Sequence, residues 1–201
     1  MPDSKRNNWP DCSPNTVCRL NKEAIEIAKE LELLPITLDD AAELLQLMQR
    51  IYPPPYAHLW DDDGAWYVQH TYNPKQLALE LAQPHCPYFF VRFQNRHIGI
   101  LRLCHGLEFP GKPKVPATKL HRIYLDKAVQ GQGIGNRLMA WSKKVAQEQG
   151  HTLLWLEAME VQSGARSFYE KLGYVQEGRV TLPFKRLLPG KAGLLQYYLE
   201  L

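Results

Sequence analysis

Apolar positions recur at helical spacing in two long stretches of this chain and cluster in short runs elsewhere. Leu44, Leu45, Met48 and Ile51 mark one helix face, and Ile134, Leu138, Trp141 and Val145 mark another, on a helix from about Ile134 to Gln147. Thr37 is placed to cap the first of these, with Asp39 and Asp40 in its first turn. Pro53, Pro54 and Pro55 then end it. Asn73-Pro74 opens a helix through Leu77 and Leu81, and Gln162 to Leu172 reads as a short helix stopped by Gly173. Lys22 to Leu33, with Ile25, Ile27 and Leu31 among Lys and Glu, reads as a further short helix after Asn21.

The short apolar runs read as strands. They are Leu33–Thr37, Tyr88–Phe93, His97–Leu103, Lys119–Leu125, Thr152–Met159, a run starting at Tyr174, and Leu194–Leu201. Gln94-Asn95-Arg96 joins two of them as a hairpin, whereas His105–Thr118, rich in Pro and Gly, is a long loop. Strands and helices alternate, with hairpins in the middle. That order implies an α/β (mixed α+β) fold with a mixed sheet covered by helices. The organisation expected is an N-terminal extension over residues 1–32, a polar tail plus the short helix, and one domain over residues 33–201.

Composition narrows the function classes. The 201 residues carry a formal net charge of +3, too small an excess to argue for nucleic acid. No run approaches the ~18 apolar residues of a membrane span, and Met1 to Leu20 lacks the apolar centre of a secretory signal. Cys12, Cys18, Cys86 and Cys104 have no C-x-x-C spacing and fit a reducing, cytoplasmic setting better than a disulfide frame. No metal is expected.

The stretch with the clearest chemistry is Gln130-Gly131-Gln132-Gly133-Ile134-Gly135-Asn136. It lies between an expected strand and an expected helix. Glycines there let backbone N–H groups approach an anion, and the helix N-terminus adds free donors and a positive dipole end. It reads as a phosphate or pyrophosphate cradle. A P-loop would need Lys-Ser or Lys-Thr after the last Gly, and a dinucleotide fingerprint would need G-x-G-x-x-G; neither is present.

Tyr56 to Tyr72 is of another kind. Tyr56, Trp60, Trp66, Tyr67 and Tyr72 surround the triplet Asp61-Asp62-Asp63. Aromatic faces and carboxylates of this sort suit a cationic amine, with Tyr56, Trp60, Asp61 and Tyr67 as substrate-binding candidates. The plainer reading is a surface loop whose aromatics cover the core.

Two motifs now stand in order: Ile123-Tyr124-Leu125 with Gln130-x-x-Gly133-x-Gly135, then Ala165-x-x-Phe168-Tyr169-Glu170-Lys171-Leu172-Gly173-Tyr174. The pair closely resembles the GNAT superfamily of N-acetyltransferases, over about Leu33 to Leu201. The resemblance implies a GNAT-type fold, with a central mixed, mostly antiparallel twisted sheet flanked by helices. It implies acetyl-CoA as cosubstrate and an amine as acceptor, joined by direct attack in a ternary complex. Backbone donors from Gln130 to Asn136 would bind the CoA pyrophosphate, and the strand edge at Ile123, Tyr124 and Leu125 would pair with the pantetheine arm. Gln162 stands where the family usually has an Asn that contacts that arm. Tyr169 matches the tyrosine near the CoA sulfur, suited to general acid catalysis.

The base does not carry over, because Lys119 occupies the position of the usual strand Glu. His121, which period-2 alternation puts on the Lys119 face, and Glu157 are the candidates, with Glu160 behind them. The Tyr56–Tyr72 segment is similar to that of some bacterial small-amine and polyamine acetyltransferases, so a small amine such as a polyamine is the leading acceptor. A protein N-terminus or lysine, and a non-catalytic CoA-binding regulatory module, are the alternatives. A homodimer is plausible.

Overall fold

Ile25 and Ile27 lie two residues apart, as do Leu31 and Leu33, and the structure uses that period as strand rather than helix. The computed structural model describes residues 23–201. Within it the expected helix at Lys22–Leu33 is replaced by a hairpin, β1 (Ile25–Ala28) and β2 (Leu31–Pro35), with Ile25 opposite Leu33. Glu30 makes the turn at φ 61°. The Lys and Glu content favours helix locally, but the sheet offers Leu31 and Leu33 complete burial, and tertiary burial overrides weak propensity. The polar tail expected at the N-terminus lies outside the described residues.

The remaining elements are α1 (Ala41–Ile51), α2 (Pro53–Tyr56), α3 (Ala65–Thr71), α4 (Pro74–Leu81), β3 (Tyr88–Phe93), β4 (Arg96–His105), β5 (Ala117–Leu125), α5 (Ile134–Glu148), β6 (Leu153–Met159), α6 (Ser163–Lys171), β7 (Val175–Thr181) and β8 (Gly193–Glu200). The eight strands form one sheet in the order β1-β2-β3-β4-β5-β6-β8-β7. Every neighbouring pair is antiparallel except β5–β6.

Each face of the sheet has its own core. On one, α5 and α6 lay Ile134, Leu138, Val145 and Tyr169 over Leu101, Leu103, Leu154 and Leu156. On the other, α1 buries Leu44, Leu47, Met48 and Ile51 with Tyr88, Phe90 and Ile100. Each such aliphatic side chain contributes about 1.5–3 kcal/mol when buried. The prolines do close α1, at Ile51, but Pro53 then starts α2, since the first turn of a helix needs no proline N–H. Tyr56–Tyr72 is no loop. It packs through α3 into the second core, and the Asn73 carboxamide caps α4 by accepting from Gln76 N at 2.9 Å.

The feature that positions the site is where β5 and β6 part. Their parallel pairing runs from Ala117↔Leu153 to Leu120↔Leu156 and stops. Immediately after Leu120 the β4–β5 register slips, from Leu103↔Leu120 to Arg102↔Arg122, so His121 is an extra residue in β5. A bulge bends its strand and increases local twist. Here it turns β5 away from β6, while β6 stays paired with β8 through Met159↔Leu194. A wedge opens between the two strands.

Candidate active site

A cavity of about 360 Å³ fills this wedge. Its walls come from both strands (Tyr124 of β5, Glu157 of β6), from Tyr169 of α6, and from the aromatic segment before α4. Tyr56, Trp60 and Tyr67, three of the substrate-binding candidates, line it. Tyr52 and Phe184 join them, and sequence reasoning missed both. Tyr52 stacks on Tyr56 and on Tyr67, with ring centroids 4.7 and 4.8 Å apart, and its hydroxyl accepts from Trp60 Nε1 at 3.0 Å. A spacing signal for Tyr52 existed, since it continues the apolar face of Met48 and Ile51. Phe184 lies in the β7–β8 connection, where no local pattern marks it.

Asp61 does not line the cavity. Arg186 Nε donates to Asp61 Oδ1 at 2.9 Å, and Arg186 Nη1 lies 3.3 Å from Asp62 Oδ2. Asp62 also accepts from Trp66 N at 2.8 Å, at the start of α3. The acidic residues are thus committed to a local turn and to an arginine. Backbone bonds reinforce the contact, from Asp61 N to Arg186 O and from Leu188 N to Leu59 O. Their work is to hold the β7–β8 connection, and with it Phe184, against the cavity wall.

The phenols around the cavity are weak acids. Burial, then neighbouring Tyr67, pushes Tyr56 up to about 12. Burial likewise drives Tyr52 and Tyr124 well above the usual tyrosine range. Tyr169 is raised too, first by burial and then by the nearby Tyr56, so its hydroxyl keeps its proton at neutral pH. That suits a proton donor and disqualifies these groups as bases.

His121 lines the cavity but is not built as a base. Its Nδ1 lies 2.8 Å from Arg102 Nη1. A guanidinium only donates, so Nδ1 accepts, its lone pair is taken, and the ring proton sits on Nε2. Burial, then the charges of Arg122, Arg102 and Lys119, pushes the imidazolium down to about 2. His121 and Lys119 both face the Arg102 side of the sheet: Lys119 pairs with Cys104, two residues from Arg102 on β4, and its charge acts on the His121 ring. Arg102 is locked in turn by Gln83 Oε1 at 2.8 Å. Beside it Arg122 forks onto Glu80, with Nη2–Oε1 at 2.8 Å. Burial would raise the Glu80 carboxyl, but the Arg122 hydrogen bonds and charge outweigh it and hold Glu80 below the ordinary range.

Glu157 is the single carboxylate among the lining residues. Lys119 Nζ donates to its Oε2 at 2.7 Å and Gln196 Nε2 donates to its Oε1 at 3.0 Å. Lys119 therefore does not replace a strand carboxylate; it orients one on the next strand. Each carboxylate oxygen keeps a second lone pair. Glu160 points elsewhere, to Arg179 at 2.9 Å.

The wedge leads to the glycine turn. Beyond Leu120, β5 has a hydrogen-bonding neighbour only on the β4 side, so the backbone of Ile123, Tyr124 and Leu125 presents an open edge. Gly131 and Gly133 take φ of 79° and 74°, and a Cβ on either would meet no atom within 4 Å. The first amide of the α5 turn to reach a backbone carbonyl is that of Arg137, bonded to Gly133 O at 3.2 Å. Among the described residues the N–H groups of Gly131, Gln132, Gly133, Ile134, Gly135 and Asn136 have no backbone acceptor, while Gln130 N is turned back onto Lys127 O. An amide-bearing arm fits the edge and a diphosphate fits the turn, so the residues suit coenzyme A. Gln162 also lines the cavity, but its Nε2 is spent on Pro55 O at 2.6 Å, leaving its carbonyl to accept. No cluster of potential metal ligands occurs among the described residues, and none of their helices is long and apolar enough to cross a membrane.

Known proteins share this architecture. An uncharacterised N-acetyltransferase encoded in the pepI 3' region of Lactobacillus delbrueckii subsp. lactis is 27% identical over 112 residues, which are 56% of this chain and 65% of that protein. The ribosomal L7/L12 alpha-N-protein acetyltransferase RimL, solved in complex with coenzyme A, superposes with a TM-score of 0.66 at 17% identity, covering 89% of this chain and 98% of its own. A mutant of the spermidine N-acetyltransferase SpeG from Vibrio cholerae gives 0.60 at 14% identity, covering 86% and 95%. At such identities the two solved structures establish the fold alone. Residues 41–174, two thirds of the sequence, match the model of the acetyltransferase (GNAT) family, and this chain belongs to it.

Proposed function

We propose that this protein transfers an acetyl group from acetyl-CoA to the primary amine of a small molecule with an apolar or aromatic body. One observation carries the choice of acceptor. The cavity is walled by Tyr52, Tyr56, Trp60, Tyr67 and Phe184, and its sole carboxylate is already paired with Lys119. A volume of about 360 Å³ lies at the low end for small-molecule pockets. It has room for one compact amine beside a thioester and none for a folded chain terminus with its neighbours. A polyamine needs several carboxylates; of the triplet that promised them, Asp61 and Asp62 are taken by Arg186 and the α3 turn, and none of the three lines the cavity.

The roles follow from the geometry. Open amides from Gly131 to Asn136 hold the diphosphate. The free edge of Ile123–Leu125 aligns the pantetheine arm so that its sulfur comes to Tyr169. Glu157 takes the proton from the attacking ammonium, which would otherwise be almost wholly protonated at neutral pH. The aromatic wall favours the neutral amine by desolvation. As the carbon–sulfur bond breaks, Tyr169 gives its proton to the departing thiolate.

The test is release of free CoA thiol with a panel of acceptors. Arylalkyl and alkyl amines should turn over, spermidine and spermine should be at least tenfold poorer in kcat/KM, and N-terminal peptides should be inert. A polyamine or peptide as the best substrate would overturn the acceptor assignment, and no thiol release with any amine would overturn the activity.

A further inference from the structure

Two thiols face each other just beyond the start of β3, outside the cavity. The β3–β4 ladder does not stop at Tyr88↔Arg102. Leu103 N donates to Pro87 O at 3.1 Å, and His105 N donates to His85 O at 2.8 Å. These two bonds bracket Cys86 and Cys104, which therefore form a non-hydrogen-bonded pair of an antiparallel ladder. At such a pair the Cα atoms approach to about 4.5 Å and the side chains lie side by side on one face. Disulfides span Cα separations of roughly 4.4–6.8 Å, so the backbone there accepts a cross-link with little movement. The two thiols are close enough to shift one another's titration in opposite directions.

Their surroundings differ in a way that assigns roles. Cys104 is 3% exposed, whereas Cys86 is only half-buried and open to small reagents. The hydrogen bond from Cys104 and the positive charge of Arg102 lower the Cys86 thiol to about 7, against the opposing effect of burial. The same hydrogen bond, together with burial, holds Cys104 protonated. A solvent-facing thiolate backed by a buried thiol is the arrangement of an attacking and a resolving cysteine.

We propose that Cys86 and Cys104 are a reversible redox site that a hydroperoxide oxidises to an intramolecular disulfide. The Cys86 thiolate attacks the peroxide O–O bond. One oxygen becomes the Cys86 sulfenic acid and the other leaves as hydroxide, so the sulfur is oxidised by two electrons and the peroxide reduced. The Cys104 sulfur then attacks the Cys86 sulfur, the S–O bond breaks, and the departing hydroxyl leaves as water with the Cys104 proton. The sum is two thiols and one hydrogen peroxide giving one disulfide and two waters. Neither thiol lines the cavity, so the site stands apart from acyl transfer and its test is independent of that assignment.

The experiment uses the full chain with Cys12→Ser and Cys18→Ser, leaving the facing pair. One equivalent of hydrogen peroxide should yield a species lighter by two hydrogens. Digestion without reductant should give a fragment joining the peptides that hold Cys86 and Cys104, and dithiothreitol should reverse it. With Cys104→Ser added, a cyclic dione that traps sulfenic acids should label Cys86. Cys86→Ser should abolish both products. Iodoacetamide should modify Cys86 at a rate rising through about pH 7. A folded protein that forms no linked fragment, or that is oxidised first at Cys104, would overturn the proposal. Should the Cys104→Ser chain fail to fold, the linked fragment and the alkylation profile decide the matter between them.

Discussion

Arg102 Nη1 sits 2.8 Å from His121 Nδ1, and that one contact settles what the histidine can do. The imidazole lone pair that a base would need is spent on a guanidinium. His121 can only offer its Nε2 proton to whatever enters the cavity. His121→Gln should therefore lower kcat by less than about tenfold, against the 10²–10⁴ typical of a lost general base. The pH profile of kcat/KM should lack a His121 limb near 6.5. A loss beyond a hundredfold in a folded variant would restore the histidine as base.

Burial of the same ring makes stability depend on pH. The ring titrates at 6.5 when unfolded and at about 2 when folded, mainly because of burial. Between those values the unfolded chain binds a proton that the folded chain refuses, so stability rises with pH through the window and is lost as pH falls below 6.5. His105, lowered to about 4 by burial and by His151, adds in the same direction between 4 and 6.5. Melting temperature should drop between pH 7 and pH 5 in wild type and drop less in His121→Gln. Equal drops in both would show that other groups carry the effect.

Glu157 is held by Lys119 and Gln196 in the cavity wall. Glu157→Gln removes the proton acceptor and leaves Lys119, whose side chain is 12% exposed, without its counter-ion. The expected result is a fall in kcat of about 10²–10³ with acetyl-CoA KM little changed. A Glu157→Gln, Lys119→Met double variant should recover stability without recovering rate. Restored rate in the double variant would mean that charge balance, not proton transfer, is the role of Glu157.

How far the sequence carried can be read from particular residues. The glycine turn, the two amphipathic helices and Tyr169 were legible because their signals are local. The helix expected over Lys22–Leu33 was a misreading because the strand that pairs with β2, β3, begins more than fifty residues away, and Lys and Glu at the β1–β2 turn imitate a helix, whereas the strand expected from Leu33 does overlap β2. The bulge at His121 leaves no mark in composition, yet it sets the β4–β5 register beyond Leu120 and with it the wedge. The aromatic residues of the cavity were visible as a cluster. What hid was the partner of the acidic triplet, since Arg186 meets Asp61 only across a separation of 125 residues.

Tyr169→Phe deletes one oxygen from a side chain that is 8% exposed and otherwise packed. CoA binding should persist, and kcat should fall by about 10²-fold if the phenol protonates the leaving thiolate. Isothermal titration with CoA and steady-state turnover separate the two effects. Unchanged kcat would leave Tyr169 a core residue of α6.

The glycine turn makes a further claim, about the donor alone. Gly131 has φ 79°, and a methyl there would meet no protein atom within 4 Å. Gly131→Ala therefore costs only the left-handed backbone, roughly 1–2 kcal/mol, and creates no clash inside the protein. The added methyl stands instead on the turn whose amides, from Gly131 to Asn136, have no backbone acceptor. KM for acetyl-CoA should rise at least tenfold while KM for the amine stays within about twofold. Asp61→Asn is the counterpart on the acceptor side. It weakens an exposed pair with Arg186, worth under about 1 kcal/mol, and should leave the KM of every amine unchanged. A rise in amine KM on losing that carboxylate would return Asp61 to the substrate pocket, from which its bond to Arg186 now removes it.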